Sequence, residues 1–478
     1  MLAEGLNKIP LDDISKKIVS LGFNCVRLTW PVAFATNGSL FSLTVENSFK
    51  NLGLNQALAG IEKYNPNFPK LTIVRAYQEV VMNLEKNNVM VILDNHISKP
   101  GWCCNINDGN GFFGDTYFDP ELWRLGLANM AAMFKDQKNV VGMSLRNELR
   151  GHHENAQIWE GYIREGTAII ANINPNALVI ISGLHFDLDL SALHIPLAHV
   201  ADRNKLLFEI HQYGVSFGDG WESSNPNDFC GKFKKTFHDT AGFVMDRYPL
   251  FLSEFGGDLR GTNKNDNRFL NCMFGVIAEL DLDWSLWSLQ GSYYLREGTV
   301  DMEEMYGVLD KDWNQIRSPS FMERIHAIQP QHQGPSNISK GPYKIIFHPT
   351  SGLCINETYK FDPIRLAPCN GAEKWDYTPD KAIMLKDSLF GLQAVAMGKA
   401  PELDIDCDIR PNAKWEMISA SGMHLSTNLP NNGDRVCLDV NQNGVLVTNS
   451  CICLKGDSSC DPSSQWFKII ELQLYEKK

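Results

Sequence analysis

Groups able to move protons or balance charge stand beside short apolar runs at six points in the chain. Arg27 falls late in the run Phe23–Trp30, His96 follows Val89–Asp94, and Asn147 and Glu148 follow Val140–Leu145. His211 and Tyr213 come after Leu206–Ile210, Glu254 after Leu250–Leu252, and Trp287 lies within Trp284–Leu289. Two carboxyl groups, Glu148 and Glu254, among basic, amide and phenol groups suit acid–base and nucleophilic chemistry. Any one of these residues would mean little. A Glu behind a strand usually caps a helix or joins an ion pair, and a lone His is usually a hydrogen-bonded structural one. Six such strand ends together cost free energy unless they are used.

The elements that must position them alternate regularly. From about residue 11 to 328, helical patterns (15–21, 72–86, 120–137, 155–172) precede apolar runs at 23–30, 89–94, 140–145 and 178–181, and further runs follow at 206–210, 250–252 and 284–289. Near-continuous apolar runs are what strands covered on both faces look like. Repeated βα units over about 300 residues predict an α/β fold, the (β/α)8 TIM barrel, whose functional groups gather at the carboxyl ends of the strands. Seven strands are found, one fewer than closure requires. The expectation is that the first strand lies upstream of Met1, together with any signal peptide; the alternative is a short N-terminal strand.

Residues 329–342, polar and rich in Pro and Gly, predict a linker between a barrel at 1–328 and a second domain at 343–478. There the texture turns to short strands, turn residues and cysteines. Weak repeats end at Trp375, Trp415 and Trp466, each indole expected in a core. Cys354 with Cys369, and Cys437 with Cys451 or Cys453, mark two of the units. Three units too small to hold a core alone predict a threefold all-β domain.

The formal charge of −12 argues against nucleic acid as a partner, and no apolar run is long enough to span a bilayer. Twelve cysteines, with Asn-x-Ser/Thr triplets at Asn37, Asn337 and Asn356, favour an oxidising, secretory setting. The start, Met1-Leu-Ala-Glu-Gly, carries no leader pattern. Five cysteines fall in the first domain and seven in the second, leaving one unpaired in each; Cys25 reads as a buried thiol, and Gly101-Trp-Cys-Cys104 as a loop held by a disulfide. Trp30, Trp102 and Trp221 are candidates for stacking on sugar, with ordinary packing as the alternative. His152-His153 reads as a solvated loop, and no recognised zinc spacing is present.

In the order Arg27, His96, Asn147, Glu148, His211, Tyr213, Glu254 and Trp287, the chain resembles glycoside hydrolase family 5, the cellulase-like retaining β-glycanases. Leu-Arg-Asn147-Glu148 and Ser-Glu254-Phe-Gly are its most specific segments. The likeness extends over residues 11 to about 328. It is closest to plant members that carry a C-terminal ricin B-like β-trefoil, which the Trp-ended units match. The resemblance implies a secreted, monomeric hydrolase of β-1,4-linked glucan or mannan, endo-β-1,4-glucanase-like, needing neither metal nor organic cofactor. Retention takes two carboxyl groups about 5 to 5.5 Å apart. Glu254 would be the nucleophile, steadied by Arg27 and Tyr213. Glu148 would be the acid, its pKa raised, supported by His211. Asn147 would hold the 2-hydroxyl, His96 a further hydroxyl, and Trp287 the sugar face. In the trefoil only Asp439, with Gln465 beside Trp466, matches the lectin pattern; Asn356 and Gln393 stand at the equivalent places, so at most one sugar site is expected. The rival reading is a carbohydrate-binding protein with an inactive, truncated barrel.

Overall fold

The structure, a computed structural model, describes residues 2–195, 197, 203–330, 343–356, 363–407, 409–430 and 433–472. Residues 331–342 of the expected linker, with the Asn337 triplet, lie outside them. Contacts divide the chain into two units. One comprises Met1–Gln212, Phe237–Leu259 and Asp283–Arg317; the other comprises Tyr213–Thr236, Arg260–Leu282 and Ser318–Lys478.

The first unit is built on seven parallel strands in sequential order: β1 (Cys25–Pro31), β2 (Met90–Ile97), β3 (Val140–Ser144), β4 (Leu178–Ser182), β5 (Leu206–Tyr213), β6 (Leu250–Gly256) and β7 (Asp283–Leu286). All seven expected strands are present. This curled parallel sheet with its intervening helices fits a (β/α)8-like barrel. Among the described residues β1 pairs only with β2 and β7 only with β6, so both are edges. The edge rings of Phe23 and Trp284 meet at 6.1 Å. Helix α1 (Leu11–Ser20) precedes β1, and α2 (Ile73–Lys86) precedes β2. Ile73, Ala76, Tyr77, Val80, Val81 and Leu84 form the buried stripe of α2, and the Thr72 hydroxyl accepts from the Arg75 amide to start it. Helix α3 (Pro120–Phe134) begins under an Asp119 cap with proline in its first turn, and α4 (Ala156–Ile173) under Asn155.

Period two along the strands sets out the interior. Ile92, Ile180 and Phe251 form an apolar floor with Cys25, Val141 and Leu207 packed against it. Two residues further on stand Arg27, Asp94, Ser182, Glu209 and Ser253, and two more bring His96 and His211. The floor thus gives way to a buried polar storey immediately beneath the mouth. Cys25 is free and half-buried rather than sealed.

In the second unit, α5 (Pro226–Thr240, as far as Thr236) and α6 (Lys264–Leu280) are joined by the Cys230–Cys272 disulfide. The C-terminal region is all-β, made of antiparallel strands in two sheets. Trp375, Trp415 and Trp466 are each at most 1% exposed, in the core as expected. Cys354 pairs with Cys369, Cys437 with Cys451, and Cys453 with Cys460. The middle unit has Gly391 where its neighbours have Cys354 and Cys437. A Cβ added there would lie 2.6 Å from that of Cys407, the free cysteine of this region. The Asn227 side-chain oxygen accepts from the Trp466 indole (2.8 Å), the Ser421 hydroxyl (2.9 Å) and His424 Nδ1 (3.1 Å), tying α5 to the third repeat.

Candidate active site

The carboxyl ends of β1, β2, β3, β5 and β6 bring the expected groups to one place. Glu148, His211 and Glu254 present donor atoms within 4.8 Å of one another, so the two carboxylates face each other. Arg27 Nη1 donates to Glu254 Oε1 at 2.6 Å and lies 3.0 Å from Asp94 Oδ2. Its Nη2 donates to the Asn147 carbonyl at 2.9 Å and lies 3.4 Å from Glu209 Oε2. His211 Nδ1 stands 3.0 Å from Glu148 Oε1 and 3.7 Å from Glu254 Oε2. His96 Nδ1 bonds Asp94 at 2.7 Å, and its ring stacks on that of Trp287 at 5.9 Å. Tyr213 closes β5 two residues beyond His211.

The charges are arranged asymmetrically. Glu254 is buried, which would raise its pKa, but His211, Arg27 and His96 outweigh burial and hold it below the ordinary carboxylate range. Burial works against protonated His211 too, yet Glu254, Asp187 and Glu148 push its pKa up to about 10. Glu148 is the more accessible carboxylate, 15% exposed at its side chain against 8% for Glu254. Glu148 adopts a left-handed φ of 43°, a conformation that non-glycine residues hold mainly where their surroundings impose it. Here its amide donates to Asp187 Oδ2 at 2.9 Å. The trios Asp94–His96–Glu254 and Glu148–His211–Glu254 carry metal-ligand types, but the Arg27 guanidinium already supplies a cation to Asp94 and Glu254.

Three further residues complete the set. Asp187 is fully buried; besides the Glu148 amide it faces His211 Nε2 at 3.6 Å, and its backbone carbonyl accepts from the His211 amide at 2.9 Å. Burial, above all, raises its pKa well above normal. Glu209 accepts from the Ser144 hydroxyl as well as facing Arg27. Glu209 could have been found by its even spacing from His211. Asp187 sits in a left-handed run, 185–187, with no sequence signal. The Asn147 side-chain amide nitrogen lies 3.7 Å from both sulfurs of the Cys103–Cys104 disulfide, so the cysteine loop does border the site.

The loop tryptophans separate. Trp30 and Trp221 are 0% exposed and serve as core, which corrects their candidacy for stacking; Trp221 packs against Phe229, Phe233 and Phe269, and Trp30 lies beside Gly126 of α3. Trp102 is 42% exposed. His152 and His153 are exposed, as a solvated loop should be. In the third repeat, the Asp439 carboxylate accepts from Gln465 and Asn449 at 3.0 Å and from the Val440 amide at 2.7 Å; Asp439 and Gln465 are both buried. Among the described residues no helix is long and apolar enough to cross a membrane.

Comparison with known proteins gives four likenesses. The family model for cellulase (glycosyl hydrolase family 5) matches residues 5–292. A glycosyl hydrolase 5 family protein of Chamaecyparis obtusa is 41% identical over 490 residues, covering 98% of this chain and 87% of the relative. Among solved structures, the hyperthermophilic endocellulase of the archaeon Pyrococcus horikoshii superposes with a TM-score of 0.56 at 18% identity, covering 69% of this chain and 89% of that one. The catalytic domain of the major endoglucanase of Xanthomonas campestris pv. campestris gives 0.53 at 19%, covering 66% and 87%. At these identities the two structures speak for the fold.

Proposed function

The chain belongs to glycosyl hydrolase family 5, the cellulase family, and from that premise we propose that it is a retaining β-glycosidase acting on β-1,4-linked glucan or mannan. The observation that carries this reading is the pair of facing carboxylates, with Glu148 and Glu254 donor atoms within 4.8 Å. Such close approach favours double displacement, in which the carboxyl groups stand about 5–5.5 Å apart, over inversion, which keeps them about 6.5–9.5 Å apart to admit water between them. Glu254, held ionised by His211 and Arg27, attacks the anomeric carbon. Glu148 gives its proton to the departing oxygen as the glycosidic bond breaks. A water then enters, loses its proton to Glu148 and releases the sugar from Glu254. Asn147, its side-chain carbonyl engaged by Arg27 and its amide nitrogen only by weak contacts to the Cys103 and Cys104 sulfurs, offers that N–H to the 2-hydroxyl. His96 and Trp287 receive the rest of the ring. Tyr213 keeps the supporting role its family position implies.

The printed names of the solved relatives, an endocellulase and an endoglucanase, support a glucan with internal cleavage. Five disulfides support a secreted enzyme. The C-terminal region is read as a ricin B-type β-trefoil in which Asp439 and Gln465, each engaged internally, serve the fold. The test is trapping with a 2-deoxy-2-fluoro-β-glycoside, followed by peptide mapping. Label on Glu254, and none in Glu254→Gln, is the expected result. Label on another residue would overturn the nucleophile assignment, and binding of oligosaccharide without turnover would favour the rival carbohydrate-binding reading.

A further inference from the structure

One buried carboxylate outside the family positions reaches both exposed-side indoles of the mouth. After β7 the chain forms a small hairpin, β8 (Leu295–Arg296) and β9 (Thr299–Val300), and then Glu304, 6% exposed. Glu304 Oε2 accepts from the Trp287 indole at 3.3 Å, from Arg296 Nη1 at 2.8 Å and from the Tyr293 hydroxyl. Its Oε1 accepts from the Tyr306 amide at 3.1 Å. The Arg296 guanidinium in turn lies 3.8 Å from the Trp102 ring centre and 4.6 Å from that of Tyr293. Arg296 is mostly covered, with 18% of its side chain exposed, whereas Trp102 keeps 42% of its surface in water.

Packing alone does not account for this arrangement. A tryptophan recruited for the core is buried, as Trp30 and Trp221 are. Here a charged group is desolvated to hold one face of an indole that remains open to solvent, a cost without return unless the open face is used. The next residue, Cys103, is locked to Cys104, whose sulfur borders Asn147. Trp102 is therefore fixed on both sides at the rim beside the carboxylates. The apolar C–H face of a β-linked pyranose fits such a surface.

Resting on the glycosidase reading above, we propose that Trp102 is the stacking platform of a second sugar position next to the one over Trp287, with Arg296 and Glu304 as its positioning residues. Glu304 aims both platforms: Trp287 directly, and Trp102 through Arg296. The substrate class is then a β-linked chain of at least two sugars whose flat faces lie on the two indoles.

The test measures kcat and KM for aryl β-glucosides of one, two and three sugar units. In Trp102→Ala the loss in kcat/KM grows with chain length, to about tenfold more for the trioside than for the monoside, as expected when 50–60 Å² of apolar face stays in water. The change falls in KM. Arg296→Ala reproduces that length dependence, Arg296→Lys restores part of it, and Glu304→Gln also weakens the monoside. A loss in Trp102→Ala independent of length, or no loss, overturns the proposal. Calorimetric binding of unmodified cellotriose keeps the two readings apart. Weaker binding by Trp102→Ala in a chain that hydrolyses nothing retains the platform and refutes the hydrolase; equal affinity in both, or none in either, overturns the platform.

Discussion

Replacing Arg27 by Met tests the electrostatic centre of the site. The side chain keeps an apolar stem and loses its charged head. Its guanidinium, 5% exposed, stands 2.6 Å from Glu254, 3.0 Å from Asp94 and 3.4 Å from Glu209. At an effective dielectric of about 20, unit charges 3 Å apart attract by about 5 kcal/mol. Summing three such pairs overstates the loss, because orphaned carboxylates take up protons instead. Breaking a buried pair costs about 3–5 kcal/mol, and that is the loss of stability expected at pH 7. The sign with pH follows from the native shifts. Burial would raise Glu254 and Asp94. For Glu254 the opposition of His211 and Arg27, and for Asp94 that of Arg27 and His96, leaves both below their usual 4.5 and 3.8. Such groups stabilise the native state above the unfolded value and lose that contribution as pH falls through the lower native one. In Arg27→Met the same carboxylates, buried without their guanidinium, are pushed upward, and acid relieves them. The gap between wild type and variant is widest at pH 7 and narrows toward pH 4. Urea denaturation at both pH values measures it, with Arg27→Lys recovering part. A gap below about 1 kcal/mol at pH 7, or one unchanged at pH 4, would refute the reasoning.

His211→Gln removes an imidazolium whose pKa stands at about 10 against an unperturbed 6.5. A raised native pKa gives stability that is fully present below 6.5 and lost as pH rises through about 10, so the variant's thermal deficit shrinks between pH 7 and 10.5; a flat deficit would show that the ring is not charged. Gly391→Cys should join Cys407, lowering the free-thiol count from two to one and raising stability by up to about 3 kcal/mol once the backbone opens to disulfide spacing. Three titratable thiols with a lower melting temperature would be the contrary result. Asn227→Ala removes the shared acceptor of the Trp466, His424 and Ser421 donors, of which Ser421 also meets Ser419, and about 3 kcal/mol of destabilisation is expected by denaturant titration.

What could be read in the sequence followed from which forces are local. Strands covered on both faces show as apolar runs, so all seven were visible, although β7 stops at Leu286, three residues short of the expected end. The groups at strand ends were visible because period two and chain order place them. Glu209 falls inside an apolar run, where only its even spacing from His211 marks it; Asp187 and Glu304 lie in loops and Arg296 in a two-residue strand, none of them flagged by a local pattern. The exposure of a tryptophan is decided by what covers it, so Trp30, Trp102 and Trp221 looked alike in sequence and differ in space. The partner of Cys437 was similarly open until hairpin register chose Cys451.

The seam between β1 and β7 has a consequence for how this molecule meets other chains. Among the described residues each is an outermost strand of the parallel sheet. An extended segment laid between them would be gripped along two tracks at once, like a zipper closed from both sides, and edges of this kind are templates for any strand that can reach them. A short synthetic peptide with alternating β-branched residues could therefore act as a stave, tightening the floor beneath Arg27 and, through it, the aim of Glu254.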